Sequence, residues 1–291
     1  MKWKVEKDSL LLEHLYEHLD MPKKRVKQYL THGSVYVNNN KVTQYNYPLQ
    51  KGMTIVMDTN QKTKKTLPFD IVFEDEEYIA VNKPSGLLTI ATNKEKEKTL
   101  YHIVGEYLKE KNRNAKVFIV HRLDKDTSGI VLFAKNEKSK NKLQENWSEY
   151  VSLREYVAVV YGTFSKKKDT IVEYLKETKT ALVYSTKNKE GKEAITHYEV
   201  IKENDQYSLL KIMIDTGRKH QIRVGLSDIH HPILGDKKYG FKEDKNTRLY
   251  LHANRLKFYY PGIKKEILLE TSNPKEFQKV MKEGSDEKNH H

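Results

Sequence analysis

The sequence predicts an α+β protein: a domain built on a mixed, largely antiparallel sheet, preceded by a small α/β module. Three observations predict it. From Phe69 onward, short apolar runs of strand length recur with few helical stretches between them, the pattern of an α+β chain rather than a regularly alternating one. Ahead of them lies a basic segment with its own helical stripe. Between the two, Thr59 to Pro68 is polar, rich in lysine and bare of large apolar residues until Leu67, the composition of a linker. The expected division is a module over 1–58, a linker over 59–68, the main domain over 69–281 and a polar tail over 282–291. A chain of 291 residues is long enough to build both cores.

The first helix is read from Leu11, Leu15 and Leu19, whose four-residue spacing puts them on one face, with Asp8 or Ser9 as the expected N-cap. Pro22 opens a second helix, since its missing N–H is an orphan of the first turn in any case. Val26, Tyr29 and Leu30 form that helix's apolar stripe. Lys23, Lys24 and Lys27 project elsewhere, and Gly33 is placed to end it. A hairpin follows, Val35 and Val37 turning through Asn38-Asn39-Asn40 to Val42, and Gly52 precedes a strand from Met53 to Met57. In the main domain the expected strands include 78–81, 117–120, 130–134, 156–161, 194–201 and 209–214. Helices are expected over 99–111 and 137–147. From Lys282 the chain is polar and read as frayed, with His290 and His291 read as a tag remnant.

Composition narrows the function. There are 53 Lys and Arg against 40 Asp and Glu, a formal net charge of +13. Residues 1–65 hold 12 basic and 6 acidic side chains, nearly half of that excess. Such a balance favours a polyanionic partner, because each phosphate neutralised releases condensed counterions; a lysine-rich proteome would give the same charge without one. With no cysteine, disulfides, thiolate nucleophiles, zinc ribbons and iron–sulfur clusters are excluded. No apolar run approaches the ~18 residues of a membrane span, and the first residues lack a signal peptide's apolar core. A soluble, cytoplasmic protein is expected, and a monomer, since no heptad or apolar stripe asks for a partner.

Two loops carry charge between apolar runs, where a rigid scaffold displays functional groups. The first is His121-Arg122-Leu123-Asp124-Lys125-Asp126-Thr127-Ser128-Gly129. Asp126, Thr127 and Ser128 read as a turn whose side chains bond the backbone. That explains Asp124 less well, with Arg122 and Lys125 making its setting cationic. The second is Asp215-Thr216-Gly217-Arg218-Lys219-His220-Gln221-Ile222-Arg223, at the end of an alternating strand, where Arg218 is placed to pair with a carboxylate from another strand. A third segment, Arg154-Glu155-Tyr156-Val157-Ala158, begins a strand; taken alone, Tyr156 reads as a packing aromatic.

Together these segments resemble one family. Residues 121–129 resemble the HRLDxxTSG signature of RluA-type pseudouridine synthases, 215–223 that family's TGRxHQIR motif, and 154–158 its basic-x-Tyr-x-Ala motif. Val81-Asn82-Lys83-Pro84-Ser85-Gly86, Pro232-Ile233-Leu234-Gly235-Asp236 and Leu251-His252-Ala253 echo it further, in the same order. Residues 1–58 are similar to the S4 RNA-binding module that precedes many such enzymes. The resemblance implies a catalytic domain of pseudouridine synthase type, with Asp124 as catalytic aspartate, Arg218 as its ion-pair partner and Tyr156 stacked on the target base. It implies that Arg122 enters the RNA stack where the nucleotide has left. Lys23, Lys24, Lys27, Lys83, His121 and Arg223 are the further RNA-binding candidates. Three departures stand out: Gly225 where the motif supplies a histidine, Lys219 for a threonine, and Ile90-Ala91 for His-Pro.

Isomerising uridine to pseudouridine breaks a glycosidic N–C bond, turns the base and rejoins it through C5. The expectation is therefore no metal and no small-molecule cofactor, with RNA as partner, ribosomal rather than transfer RNA. Asp124 serves as nucleophile at the base C6 or ribose C1′, or as base on the 2′ proton, and each route needs it ionised. A guanidinium opposes the desolvation that would raise its pKa. Two rivals are a catalytically inert RNA-binding protein and a metal-dependent hydrolase using His121, His220, His230, His231 and His252. The first has no need of Asp124, Tyr156 and Arg218 together; the second lacks HExxH-like spacing.

Overall fold

The computed structural model describes residues 1–31, 33–58, 67–92, 95, 97–186, 189–246 and 248–283. The expected linker, save Leu67 and Pro68, and the tail beyond residue 283 lie outside them. Contacts divide the chain into two compact units, one ending at Thr66 and the next beginning at Leu67. No helix among the described residues is long and apolar enough to cross a membrane.

In the first unit, the strands Lys2–Lys4, Thr54–Met57, Val35–Val37 and Asn40–Lys41 form an antiparallel sheet in that order. The helices Leu11–His18 and Lys23–Thr31 pack on it through Leu11, Leu15, Val26 and Leu30, all fully buried with Ile55 and Met57. Asn38 and Asn39 both have positive φ, +49° and +66°, which lets a two-residue turn follow the strands' twist. The expected cap is not used. Leu10 precedes the first helix without a side-chain cap bond, because Ser9–Leu10 is held extended against Pro48–Leu49 while Asp8 accepts the Lys51 N–H at 2.7 Å. Lys23, Lys24 and Lys27 are exposed along the second helix.

The second unit is organised by an eleven-stranded sheet. Nine strands run in the order Val183–Thr186, Lys168–Glu177, Lys192–Glu203, Tyr207–Ile214, Val151–Tyr161, Leu251–Tyr260, Ser128–Ala134, Tyr78–Lys83 and Asp70–Glu74. Lys265–Glu270 pairs with Leu251–Tyr260, and Phe118–Ile119 with Ser128–Ala134. The pairings are antiparallel except where Ser128–Ala134 meets Leu251–Tyr260 in parallel. The fold is thus the mixed, largely antiparallel α+β architecture expected.

Ser128–Ala134 is buried along its whole length and anchors the loop before it. Gly129 shows how tightly. Its φ is +116°, and a Cβ there would sit 2.2 Å from the Ala253 carbonyl oxygen, so only glycine admits the parallel neighbour. The element boundaries moved. The strand expected to begin at Tyr156 begins at Val151, because exposed Ser152 and polar Arg154 hide its period from a reading by apolar content. The helix expected over 137–147 breaks into Glu137–Glu145 and Trp147–Tyr150.

Candidate active site

Asp124 lies in the loop between Phe118–Ile119 and Ser128–Ala134. That loop is pinned from beneath by buried polar groups. Lys83, 1% exposed, spends its ammonium on the carbonyls of Lys125, Leu87 and Pro84 at 2.8, 2.8 and 3.0 Å. Burial pulls its pKa down to about 7, an effect Asp126 and Asp124 partly oppose. Thr89 clasps Leu123 on both sides, donating to its carbonyl at 2.7 Å and accepting its N–H at 3.3 Å. Ser85 donates to the Asp126 carbonyl at 2.6 Å. The expected turn bonding does not account for Ser128. Its hydroxyl reaches across to the next strand, 2.9 Å from His252 Nδ1, and accepts from Arg248 at 2.9 Å.

The groups facing Asp124 come from the helix Gln221–Asp228 and the residue before it. Arg223 Nη1 lies 3.7 Å from Asp124 Oδ2, and His220 Nε2 lies 3.8 Å from the same oxygen. Arg223 is itself buried and held by Asp236, Nε to Oδ2 at 2.7 Å and Nη2 to Oδ1 at 2.8 Å. Asp236 is fully buried, and the N–H groups of Lys238 and Tyr239 also donate to its Oδ1. Burial alone would neutralise both partners. Their mutual attraction outweighs it, raising the Arg223 pKa and lowering that of Asp236.

Arg218 does not occupy the place expected of it. Its Nε donates to the Glu193 carbonyl at 2.9 Å, and its side chain is exposed. The reason is the helix start. Arg218 lies on the turn ahead of the helix, its N–H taken by the Gln221 side chain, whereas Arg223 falls on the helix's inner face. Arg223 is corrected accordingly, from an RNA contact to the cation beside Asp124. Lys83 is corrected in the same way, its three donors being satisfied inside the protein. His121 lines the cleft but is tied to the protein on one side: its Nε2 accepts the Leu132 N–H at 3.0 Å, its ring meets Trp147 at 5.3 Å, and burial, then Arg154, drops its pKa to about 4. The other histidines of the hydrolase reading are dispersed. His231 bonds the Tyr161 carbonyl and stacks on Phe164, and His252 bonds Ser128 and Thr271.

A cleft of about 420 Å³ opens at Asp124. Tyr156, Arg122, Arg154, Arg218 and Trp147 line it with Asp124, Arg223 and His220. Tyr156 sits at an irregularity of its strand, where the pairing with Leu251–Tyr260 slips between Glu155 and Tyr156. Burial pushes its phenol to about 12 although Arg154 opposes the shift, so it is protonated at neutral pH. Arg122 is exposed. A second cavity, about 550 Å³, also reaches Asp124 and is edged by Lys125, Lys219, Lys237, Lys238 and Arg248. Asp236 and Tyr239, which hold Arg223 and His220, escaped the sequence reading, although Asp236 closes the quoted 232–236 segment.

This sheet, with a single parallel junction under a carboxylate loop, is the fold of the pseudouridine synthases. The human RNA pseudouridylate synthase domain containing 1 superposes with a TM-score of 0.59 over 71% of this chain and 84% of its own, at 24% identity, a likeness of fold. The chain belongs to the RNA pseudouridylate synthase family, whose profile matches residues 77–228. It is an isomerase acting on uridine in RNA. Among its relatives, an RNA pseudouridine synthase of Aquifex aeolicus is 30% identical over 96% of this chain and 95% of its own. The ribosomal large subunit pseudouridine synthase C of Rickettsia prowazekii is 35% identical over 79% and 77%.

Proposed function

We propose that Asp124 is the catalytic carboxylate and that the substrate is ribosomal RNA. One observation carries the first part: Asp124 stands in a cleft of about 420 Å³ with a buried guanidinium, Arg223, 3.7 Å from its Oδ2. A cation held there puts positive charge beside the carboxylate that every route requires, whether attack on C1′ or C6 or removal of the 2′ proton. Tyr156 offers the extruded uracil a flat face, a contact worth roughly 1–3 kcal/mol, and its phenol relays the C5 proton in the last step, taking it on oxygen as it hands its own proton on. Arg122, exposed at the rim, fills the gap in the stack and offsets part of the few kcal/mol that extrusion costs. Arg218 is left for the RNA backbone.

Ribosomal RNA is favoured because a relative's name assigns it the large ribosomal subunit. Residues 1–58 serve as an S4-like RNA-binding module through the exposed Lys23, Lys24 and Lys27. The enzyme works as a monomer in the cytoplasm. The test incubates wild type and Asp124→Asn with unmodified ribosomal and transfer RNA transcripts and maps pseudouridine at base resolution. Product on ribosomal RNA from wild type alone is expected. Equal product from Asp124→Asn overturns the catalytic role, and product confined to transfer RNA overturns the substrate.

A further inference from the structure

His220 is held in an unusual conformation immediately before the helix Gln221–Asp228, with φ at +55° in the left-handed region. A residue bearing a Cβ is uncommon there and costs free energy that its contacts offset. Those contacts are with Tyr239. Its phenol oxygen lies 2.7 Å from His220 Nδ1, and the two rings meet edge-on, 5.5 Å between centroids. The same oxygen accepts the Val183 N–H at 3.1 Å.

Proton counting then favours one tautomer of the ring. A phenol carries one proton. Among the described residues, Tyr239 Oη makes these two hydrogen bonds; the Val183 N–H supplies its own proton, which leaves the phenol's proton available to Nδ1. An imidazole accepting at Nδ1 carries its proton at Nε2 when neutral. The ring is neutral: burial lowers its pKa to about 4, Asp124 opposing and Arg223, Lys238 and Lys219 adding to the shift. Nε2 is the atom 3.8 Å from Asp124 Oδ2. Tyr239 touches the same cluster twice more, its ring under the Arg223 guanidinium at 5.1 Å and its N–H donating to Asp236 at 3.0 Å.

We propose that Tyr239 is a positioning residue for the isomerisation, its phenol fixing His220 as the Nε2–H tautomer so that a neutral donor faces Asp124. The opposite tautomer would aim a lone pair at the carboxylate and place a second base in the cleft. The proposal rests on Asp124 being the catalytic carboxylate. It gives Asp124 Oδ2 two donor groups, the Arg223 guanidinium at 3.7 Å and the His220 N–H at 3.8 Å.

The test is nitrogen NMR of the His220 imidazole in the full-length protein, its signals assigned by their absence in His220→Gln. Wild type is expected to show Nε2 protonated and Nδ1 bare near neutral pH. Tyr239→Phe should show a mixture of tautomers, with kcat about tenfold lower, the worth of one neutral hydrogen bond, and KM for RNA unchanged. In the His220→Gln background, whose side-chain amide has no imidazole tautomers, Tyr239→Phe should alter kcat by less than about twofold. A wild-type ring protonated at Nδ1 overturns the proposal, and that spectrum decides even if Tyr239→Phe folds poorly. So does an equal loss of kcat in both backgrounds. Full activity of Asp124→Asn would remove the catalytic reading of Asp124 yet leave the NMR result standing, so the two fail separately.

Discussion

Arg223 grips Asp236 through two hydrogen bonds, at 2.7 and 2.8 Å, and holds its remaining Nη1 3.7 Å from Asp124. One guanidinium thus serves two carboxylates. The buried one fixes its orientation and the cleft-facing one receives its charge. A planar fork does this where an ammonium does not, because two arms must point in set directions at once.

Exchange of the two arginines separates their roles. Arg223→Lys should lower kcat by about 100-fold or more, in the range seen when a preorganised donor is lost, while Arg218→Ala should keep kcat within about threefold and raise KM, as loss of uniform binding does. Steady-state kinetics on one RNA substrate compares them. Arg223→Met should also cost about 3–5 kcal/mol in urea unfolding, since it strands Asp236 without its counter-charge.

Tyr156 carries two functions that substitution divides. Tyr156→Leu removes the flat face and should weaken substrate binding by roughly 1–3 kcal/mol. Tyr156→Phe keeps the face and loses the proton, so RNA should bind with wild-type affinity. A rapid-quench time course should then show an intermediate that accumulates before the last proton transfer. A Tyr156→Phe enzyme with a wild-type time course would restrict the residue to stacking.

Glu173 gives the stability a dependence on pH. Its carboxylate faces Gly225, where the family motif has a histidine; a Cβ there would lie 3.0 Å from Glu173 Oε1, and among the described residues that oxygen has no hydrogen-bond partner. Burial, reinforced by Asp228, raises its pKa to about 7. The folded protein therefore keeps a proton that the unfolded chain releases above its ordinary value of 4.5. The stability this contributes is complete below about pH 4.5 and is lost as pH rises through about 7, roughly 3 kcal/mol in all. Urea midpoints at pH 5 and pH 8 should fall further for wild type than for Glu173→Gln.

Lys23, Lys24 and Lys27 are exposed on one helix of the first unit. If all three neutralise phosphates on a single strand, replacing them with alanine should make the slope of log K against log salt shallower by about 2. Filter binding across a salt series measures it. An unchanged slope would take that helix out of the RNA interface.

What the sequence by itself determined is local and periodic. Leu11, Leu15, Val26 and Leu30 announced two helices because one face had to be buried, and Asn38-Asn39-Asn40 announced a turn, which the structure makes through Asn38 and Asn39 because asparagine tolerates positive φ. The runs around Ile130 and Leu210 announced strands, and the loop motifs between them marked where polar groups would be displayed. Asp124 was legible in this way, in a charged loop between two strands, whereas Tyr156 and Arg122 were assigned only through the family resemblance. Only the tertiary structure decided which cation serves Asp124. Arg218 and Arg223 are five residues apart in one motif and equally charged. Their fates differ because a turn ends and a helix begins between them, rotating one arginine outward and the other inward onto Asp236. The same holds for Lys83, whose charge suggested RNA until its three donors proved to be satisfied by backbone carbonyls beneath the loop. Spacing tells which residues share a face; which of them meet across strands separated by a hundred residues is fixed only when the sheet closes.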